Sequence, residues 1–78
     1  MDELCQLVAG VLRVKFETVK PETGPRNESH WDSFHHVHIV MAVEEKYGIE
    51  LEPNEIASLL SVNDISALLK SRHIEGFD

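Results

Sequence analysis

The chemically versatile residues of this chain crowd into one stretch, His30-Trp31-Asp32-Ser33-Phe34-His35-His36-Val37-His38. A hydroxyl beside a carboxylate and several imidazoles has the residue types of a nucleophile, a base and an orienting acid. Four histidines so close together have the residue types of a metal site. Spacing argues against both. Neighbours in sequence on a helix do not point at one another, no Gly-x-Ser-x-Gly elbow surrounds Ser33, and a chain of 78 residues has no room for a deep catalytic pocket. His35 and His38 lie about one helical turn apart and could share an ion. His36 faces the other way, however, and no cysteine or carboxylate completes a tetrahedral set. The histidines then read as partner-contacting or solvated groups, and the serine as a hydroxyl held at the start of a helix.

That helix, expected over 33–47, is the element that positions the stretch. Asp32 and Ser33 are both good N-caps, and the residues after them repeat at a helical rather than a strand period. At about 100° per residue, Ile39, Val43, His36, Tyr47 and Val40 share one arc, read as the core side, and Phe34, Val37 and Met41 share the next. The second arc is a semi-exposed apolar strip beside Ser33 where a partner could dock.

Around it, Leu4, Leu7, Val8, Val11 and Leu12 place a first amphipathic helix over 2–14, with Asp2 and Glu3 at its positive end. Gly10 within it would permit a close approach by a neighbour. Cys5 sits at the edge of its stripe, and the lack of a base beside it favours a small core residue over a reactive thiol. Residues 15–32 form a long connection punctuated by Pro21, Gly24 and Pro25. Phe16, Val19 and Trp31 are its expected anchors, with Trp31 fixing the start of the second helix or, alternatively, standing exposed as a recognition aromatic. Gly48 suits a C-cap, and Ile49-Glu50-Leu51 an extended link. Pro53 opens a short third helix over about 53–59 that carries Ile56, Leu59 and Leu60. Ser61 and Asp64 resemble a capping box for a fourth helix in which Val62, Ile65, Leu68 and Leu69 share a face, with Lys70 and Arg72 at its negative end. Residues 74–78 are expected to fray. The architecture expected is all-α, a four-helix bundle with a long first loop and a short third helix, in one domain spanning 1–78.

Composition narrows the function classes. Fourteen acidic against seven basic side chains give a formal charge of −7, which opposes nucleic-acid binding and favours partners with basic surfaces. Six carboxylates and one lysine between Glu44 and Asp64 put the acidic field in the second half. A single cysteine rules out an internal disulfide, and the acidic start of the chain has neither a signal-peptide nor a membrane-spanning pattern, so a cytoplasmic monomer is expected.

Asp32-Ser33 opening a helix, then Val37, Ile39-Val40-Met41-Ala42-Val43-Glu44-Glu45 and Tyr47-Gly48-Ile49-Glu50-Leu51, resembles the central helix of acyl carrier proteins and related carrier domains. The helix order, the long first loop and Ser61-Val62-Asn63-Asp64 match as well, so the resemblance covers nearly the whole chain. It implies a carrier rather than an enzyme. Ser33 would bear a covalent 4′-phosphopantetheine arm from coenzyme A, whose thiol holds an acyl or aminoacyl group as a thioester. Asp32 would be the acid that helps a phosphopantetheinyl transferase and its metal ion recognise the site. Phe34, Val37 and Met41 would be docking surface for acyl-transferring, ligase or synthase enzymes, joined by His35 and His38. Glu44 and Glu45 would meet the basic patches of those partners.

The chain departs from the family pattern where leucine is usual at Phe34, glycine is frequent at Trp31, and acids are usual at His35 and His38. Histidines make the surface around the arm nearly neutral at pH 7 and positive below roughly pH 6.5. This departure points away from a general fatty-acid role and toward a free-standing carrier in a dedicated pathway, with fatty acyl, polyketide or aminoacyl cargo left open. The rival reading is a helical interaction module in which Ser33 is only a structural N-cap and the apolar strip binds a partner helix.

Overall fold

In the computed structural model, residues 2–72 are described, and they form four α-helices: α1 (Asp2–Leu12), α2 (Ser33–Tyr47), α3 (Pro53–Ala57) and α4 (Val62–Ser71). A single 3-10 turn, Phe16–Thr18, lies in the long connection, and no strand occurs among the described residues. The all-helical architecture read from the periodicity is the one observed. The fraying expected of residues 74–78 falls outside the described residues.

α1 buries Leu4, Cys5, Val8, Ala9 and Leu12 and packs against both α2 and α4. It ends two residues earlier than its periodicity suggests, because Arg13 turns left-handed (φ 60°) and the Val14 amide reaches back to the Ala9 carbonyl at 3.1 Å. The apolar residues Val11 and Val14 still lie against the core, which is why the pattern reads on past the last helical bond. Gly10 is exposed, and a Cβ built there would meet nothing within 4 Å, so the close approach expected at this glycine is absent.

The close approach occurs at Gly24 instead. A Cβ at Gly24 would stand 1.9 Å from the Leu60 carbonyl oxygen, a backbone atom that cannot step aside. This contact lets the long connection reach the start of α4, where the carbonyls of Thr23 and Pro21 accept from the amides of Val62 and Asn63, each at 2.8 Å. The first amides of a helix have no partner within it, so two loop carbonyls satisfy donors that the helix leaves open. Ser61 Oγ takes the Asp64 amide at 3.2 Å. The Asp64 carboxylate accepts from Leu60 rather than from Ser61, which displaces the expected capping box by one residue.

Of the three expected loop anchors, Val19 and Trp31 are buried, and Trp31 is among the largest fully buried side chains. Phe16 is 40% exposed and is not an anchor; it lies in the 3-10 turn, where the backbone bonds of Thr18 and Val19 hold the chain without its ring. α2 contributes Ile39, Val40 and Val43 to the core and ends at Gly48, whose left-handed conformation (φ 64°, ψ 40°) closes the helix onto the Glu44 carbonyl. α4 contributes Val62, Ile65 and Leu69.

α3 differs from the other three helices. It starts at Pro53, stops at Ala57 rather than near residue 59, and buries none of its five residues fully. Ser58 is its C-cap, and the chain beyond turns Leu59 into the core while Leu60 stays 40% exposed. Ile56 packs partly buried against the core, and polar ties add to its hold on α3. Glu55 Oε1 accepts from the Glu52 amide at 2.8 Å and from Arg72 Nη2 at 2.6 Å, and the Ile56 carbonyl accepts from His36 of α2.

Candidate functional site

The start of α2 is built around Asp32. Its backbone is extended (φ −94°, ψ −176°), and Oδ1 accepts the His35 amide at 2.9 Å, which makes Asp32 the N-cap. The reading in which Ser33 is itself the structural N-cap is therefore corrected: Ser33 occupies the first helical position, and Asp32 has already taken the capping bond. The His35 ring adds a second contact, Nδ1 to Asp32 Oδ1 at 2.8 Å. The His35 amide first, and its ring second, hold the Asp32 carboxyl below its ordinary value, so it is an anion at neutral pH.

Ser33 is exposed at the positive end of a 15-residue helix. The amides of Ser33 and Phe34, in the first turn, have no helical carbonyl to donate to, and they face the same end as the serine. A hydroxyl there is accessible, free of a capping role and set against donors that favour an attached anion.

Three of the imidazoles around it are committed to other groups. His30 Nδ1 lies 2.7 Å from Glu28 Oε2, and His35 is tied to Asp32. His36 accepts the Trp31 indole N–H on Nδ1 at 3.0 Å and gives Nε2–H to the Ile56 carbonyl at 2.9 Å. With both nitrogens used, His36 is not placed to act as a base for Ser33. Among the described residues, no group of three or more His, Cys, Asp or Glu side chains is arranged to hold a metal ion.

Two surfaces adjoin the serine. The first is the outer face of α2, where Phe34 is 63% exposed, Val37 52% and Met41 59%. Phe34 is flanked by His35, edge-on at 5.5 Å between ring centroids, and by His38 at 4.4 Å. Each of the three side chains of the strip is more than half exposed, and the histidines border it. Farther along the helix, Glu45 is exposed. Glu44 is half-buried and spends Oε2 on the Leu51 amide at 2.8 Å, which pins the link after α2.

The second surface was not visible in the sequence. A cleft of about 470 Å³ runs between α2 and the chain around α3, opening beside Asp32 and Ser33. Trp31, His36 and Val37 form one wall, and Ala57, Leu59 and Leu60 the other, with Pro25 at the edge. No short-range pattern marks this pairing. The signal that bears on it is Gly24, the residue that allows the long connection to meet Leu60.

A short helical scaffold that presents an exposed serine at a helix N-terminus, beside an open apolar strip and a mostly apolar cleft, is the arrangement of a carrier rather than a catalyst. The comparisons with known proteins agree. Residues 2–69 match the family model described as "Phosphopantetheine attachment site". The chain is 30% identical over 71 residues to the "Acyl carrier protein" of Nitratidesulfovibrio vulgaris strain Miyazaki F, covering 91% of this chain and 93% of that one. It is 32% identical over 76 residues to "Acyl carrier protein 3" of Ralstonia nicotianae (92% and 87% covered), and 34% identical over 65 residues to the "Acyl carrier protein" of Helicobacter hepaticus (83% and 86%). The chain belongs to the acyl carrier protein family, whose covalently attached prosthetic group is 4′-phosphopantetheine. Proteins of this family are carriers, not enzymes, and they work with a phosphopantetheinyl transferase and acyl-handling enzymes. Among the described residues no helix is long and apolar enough to cross a membrane.

Proposed function

We propose that Ser33 is the attachment point of the 4′-phosphopantetheine arm and that this chain is a single-domain, monomeric, cytoplasmic carrier serving a dedicated biosynthetic pathway. The observation that carries this reading is the division of labour at the start of α2. Asp32 caps the helix through its bond to the His35 amide, and the Ser33 hydroxyl is left exposed and structurally idle.

When bound, the arm supplies a terminal thiol that holds cargo as a thioester. The chain's own residues do the rest. The first-turn amides of α2 and the helix dipole favour a phosphodiester on Ser33. Asp32, kept ionised by His35, presents the negative charge that a transferase and its metal ion would recognise. Phe34, Val37 and Met41 offer apolar contact to partner enzymes, with His35 and His38 in place of acids around them. Glu45, with Glu44 beside it in sequence, supplies long-range attraction to basic docking surfaces, which suits a carrier that must bind and leave in turn. Histidines in place of acids thin the negative charge along the strip, which would select partners that do not rely on dense positive charge there, and this supports a dedicated pathway over a general one.

The test is to incubate the protein with coenzyme A and several broad-specificity phosphopantetheinyl transferases and weigh it. One arm should be added to the wild-type chain and none to Ser33→Ala, which keeps its Asp32 cap and stays folded. A wild-type chain that gains no mass with any transferase contradicts the proposal.

A further inference from the structure

α3 is a five-residue helix with no fully buried side chain, yet it forms the edge of the cleft beside Ser33. Ile56 is its one apolar side chain packed against the core, and polar ties add to that hold. One of them runs through a single ring. His36 receives the Trp31 indole N–H on Nδ1 and donates Nε2–H to the Ile56 carbonyl of α3. Both bonds together require one species, the neutral imidazole with its proton on Nε2. The other tautomer breaks both bonds, setting an N–H against the Trp31 N–H and a lone pair against the Ile56 carbonyl; the imidazolium keeps an N–H for Ile56 but places its other N–H opposite the Trp31 N–H.

We propose that His36 is a pH-sensitive latch that holds α3 over the cleft beside Ser33 when neutral and releases it when protonated. Trp31 is 1% exposed and wedged in the core, so it is not the partner that moves. A buried indole N–H facing a second donor is destabilised, and the half-buried His36 ring relieves this by swinging outward. The same motion withdraws Nε2 from Ile56, because both bonds are made by one rigid ring. Of the polar ties between α3 and its neighbours, the Glu55–Arg72 pair then remains.

The charged and titratable groups on the surrounding elements have partners of their own. Asp32 is engaged by His35, and Glu28 by His30. Glu55 holds the Glu52 amide and Arg72, and Asp64 holds the amide of Leu60. Glu52, at the N-cap of α3, is exposed. None of these contacts is made to His36, so the proton on its ring is the variable that sets the two bonds. The latch is complete while the ring is neutral and is lost when the ring takes a second proton. It belongs to the unmodified chain and does not depend on the proposal for Ser33.

Trp31 is the only tryptophan, so its emission and its indole N–H resonance report the latch directly. From pH 8 to pH 5, both signals should follow the titration of the His36 ring observed by nitrogen NMR, with one midpoint. Amide exchange in the α3 segment should rise about tenfold at the acid end relative to exchange in α1, the scale expected for losing one buried hydrogen bond. His36→Gln, whose amide can accept from Trp31 and donate to Ile56 but does not titrate, should keep the Trp31 signals at their pH 8 values throughout. His36→Leu should show the fast α3 exchange at every pH. A Trp31 transition that persists unchanged in His36→Gln overturns the proposal. So does a wild-type His36 ring that carries its neutral proton on Nδ1, or one that titrates while Trp31 and α3 stay still. The ring measurement needs no variant, so it decides the matter even if a substitution prevents folding.

Discussion

The two long faces of α2 carry similar side chains and meet opposite fates. Ile39, Val40 and Val43 are buried at 0–4% exposure, while Phe34, Val37 and Met41 on the adjoining arc are more than half exposed. One face is used to specify the fold. The other is left in water, although it would be equally able to drive burial, and an apolar strip kept open on so small a molecule is informative about partners. The cap follows the same division: Asp32 does the structural work and Ser33 next to it stays available.

The largest expected effect tests the buried face. Ile39→Ala should cost about 2–5 kcal/mol in urea unfolding, whereas Val37→Ala should stay within about 0.5 kcal/mol. Equal costs at the two positions would break the distinction between the faces. Gly24→Ala comes next. Its Cβ would collide with the Leu60 backbone and pull Thr23 and Pro21 off the first amides of α4, so a loss of about 1–3 kcal/mol is expected, with faster amide exchange at Val62 and Asn63.

A third test probes the open face. Phe34→Ala should leave stability nearly unchanged but lower kcat/KM of a partner enzyme for the loaded carrier by about tenfold, as for loss of an aromatic anchor. A loss of stability with no change in transfer would return Phe34 to the core. The smallest effect concerns the cap. The Asp32 pKa is lowered in the fold, so its contribution is present above the ordinary carboxylate value and is lost as the pH falls through the lowered one. Exchange of the His35 amide should therefore quicken below about pH 4, before the core amides of α1 respond.

Periodicity carried much of this into view from the sequence. The helical repeat placed Ile39, Val40 and Val43 inside and Phe34, Val37 and Met41 outside, because each of these assignments depends only on neighbours one turn away. It also put His36 on the inner arc. What it could not supply were the partners, since Ile56 lies twenty residues on and belongs to an element with almost no pattern of its own. The two glycines show the same limit. Gly10 and Gly24 are identical as letters, and only the path of the long connection decides that Gly24 must lack a Cβ while Gly10 faces open space. Phe16 failed as an anchor for a related reason: an apolar residue in a loop is buried only if the backbone brings it to the core, and here a 3-10 turn leaves it outside. For Glu44, the sequence carries no sign of its bond to the Leu51 amide, a contact made seven residues away across the turn at Gly48.

The most direct test of the central claim is site-localised mass spectrometry of the protein purified from its own cell with thioesters preserved. The arm should be found on the peptide that contains Ser33, and the mass beyond it should identify the cargo. An arm on Ser29, Ser58, Ser61, Ser66 or Ser71, or a chain that carries none, would contradict the assignment of Ser33.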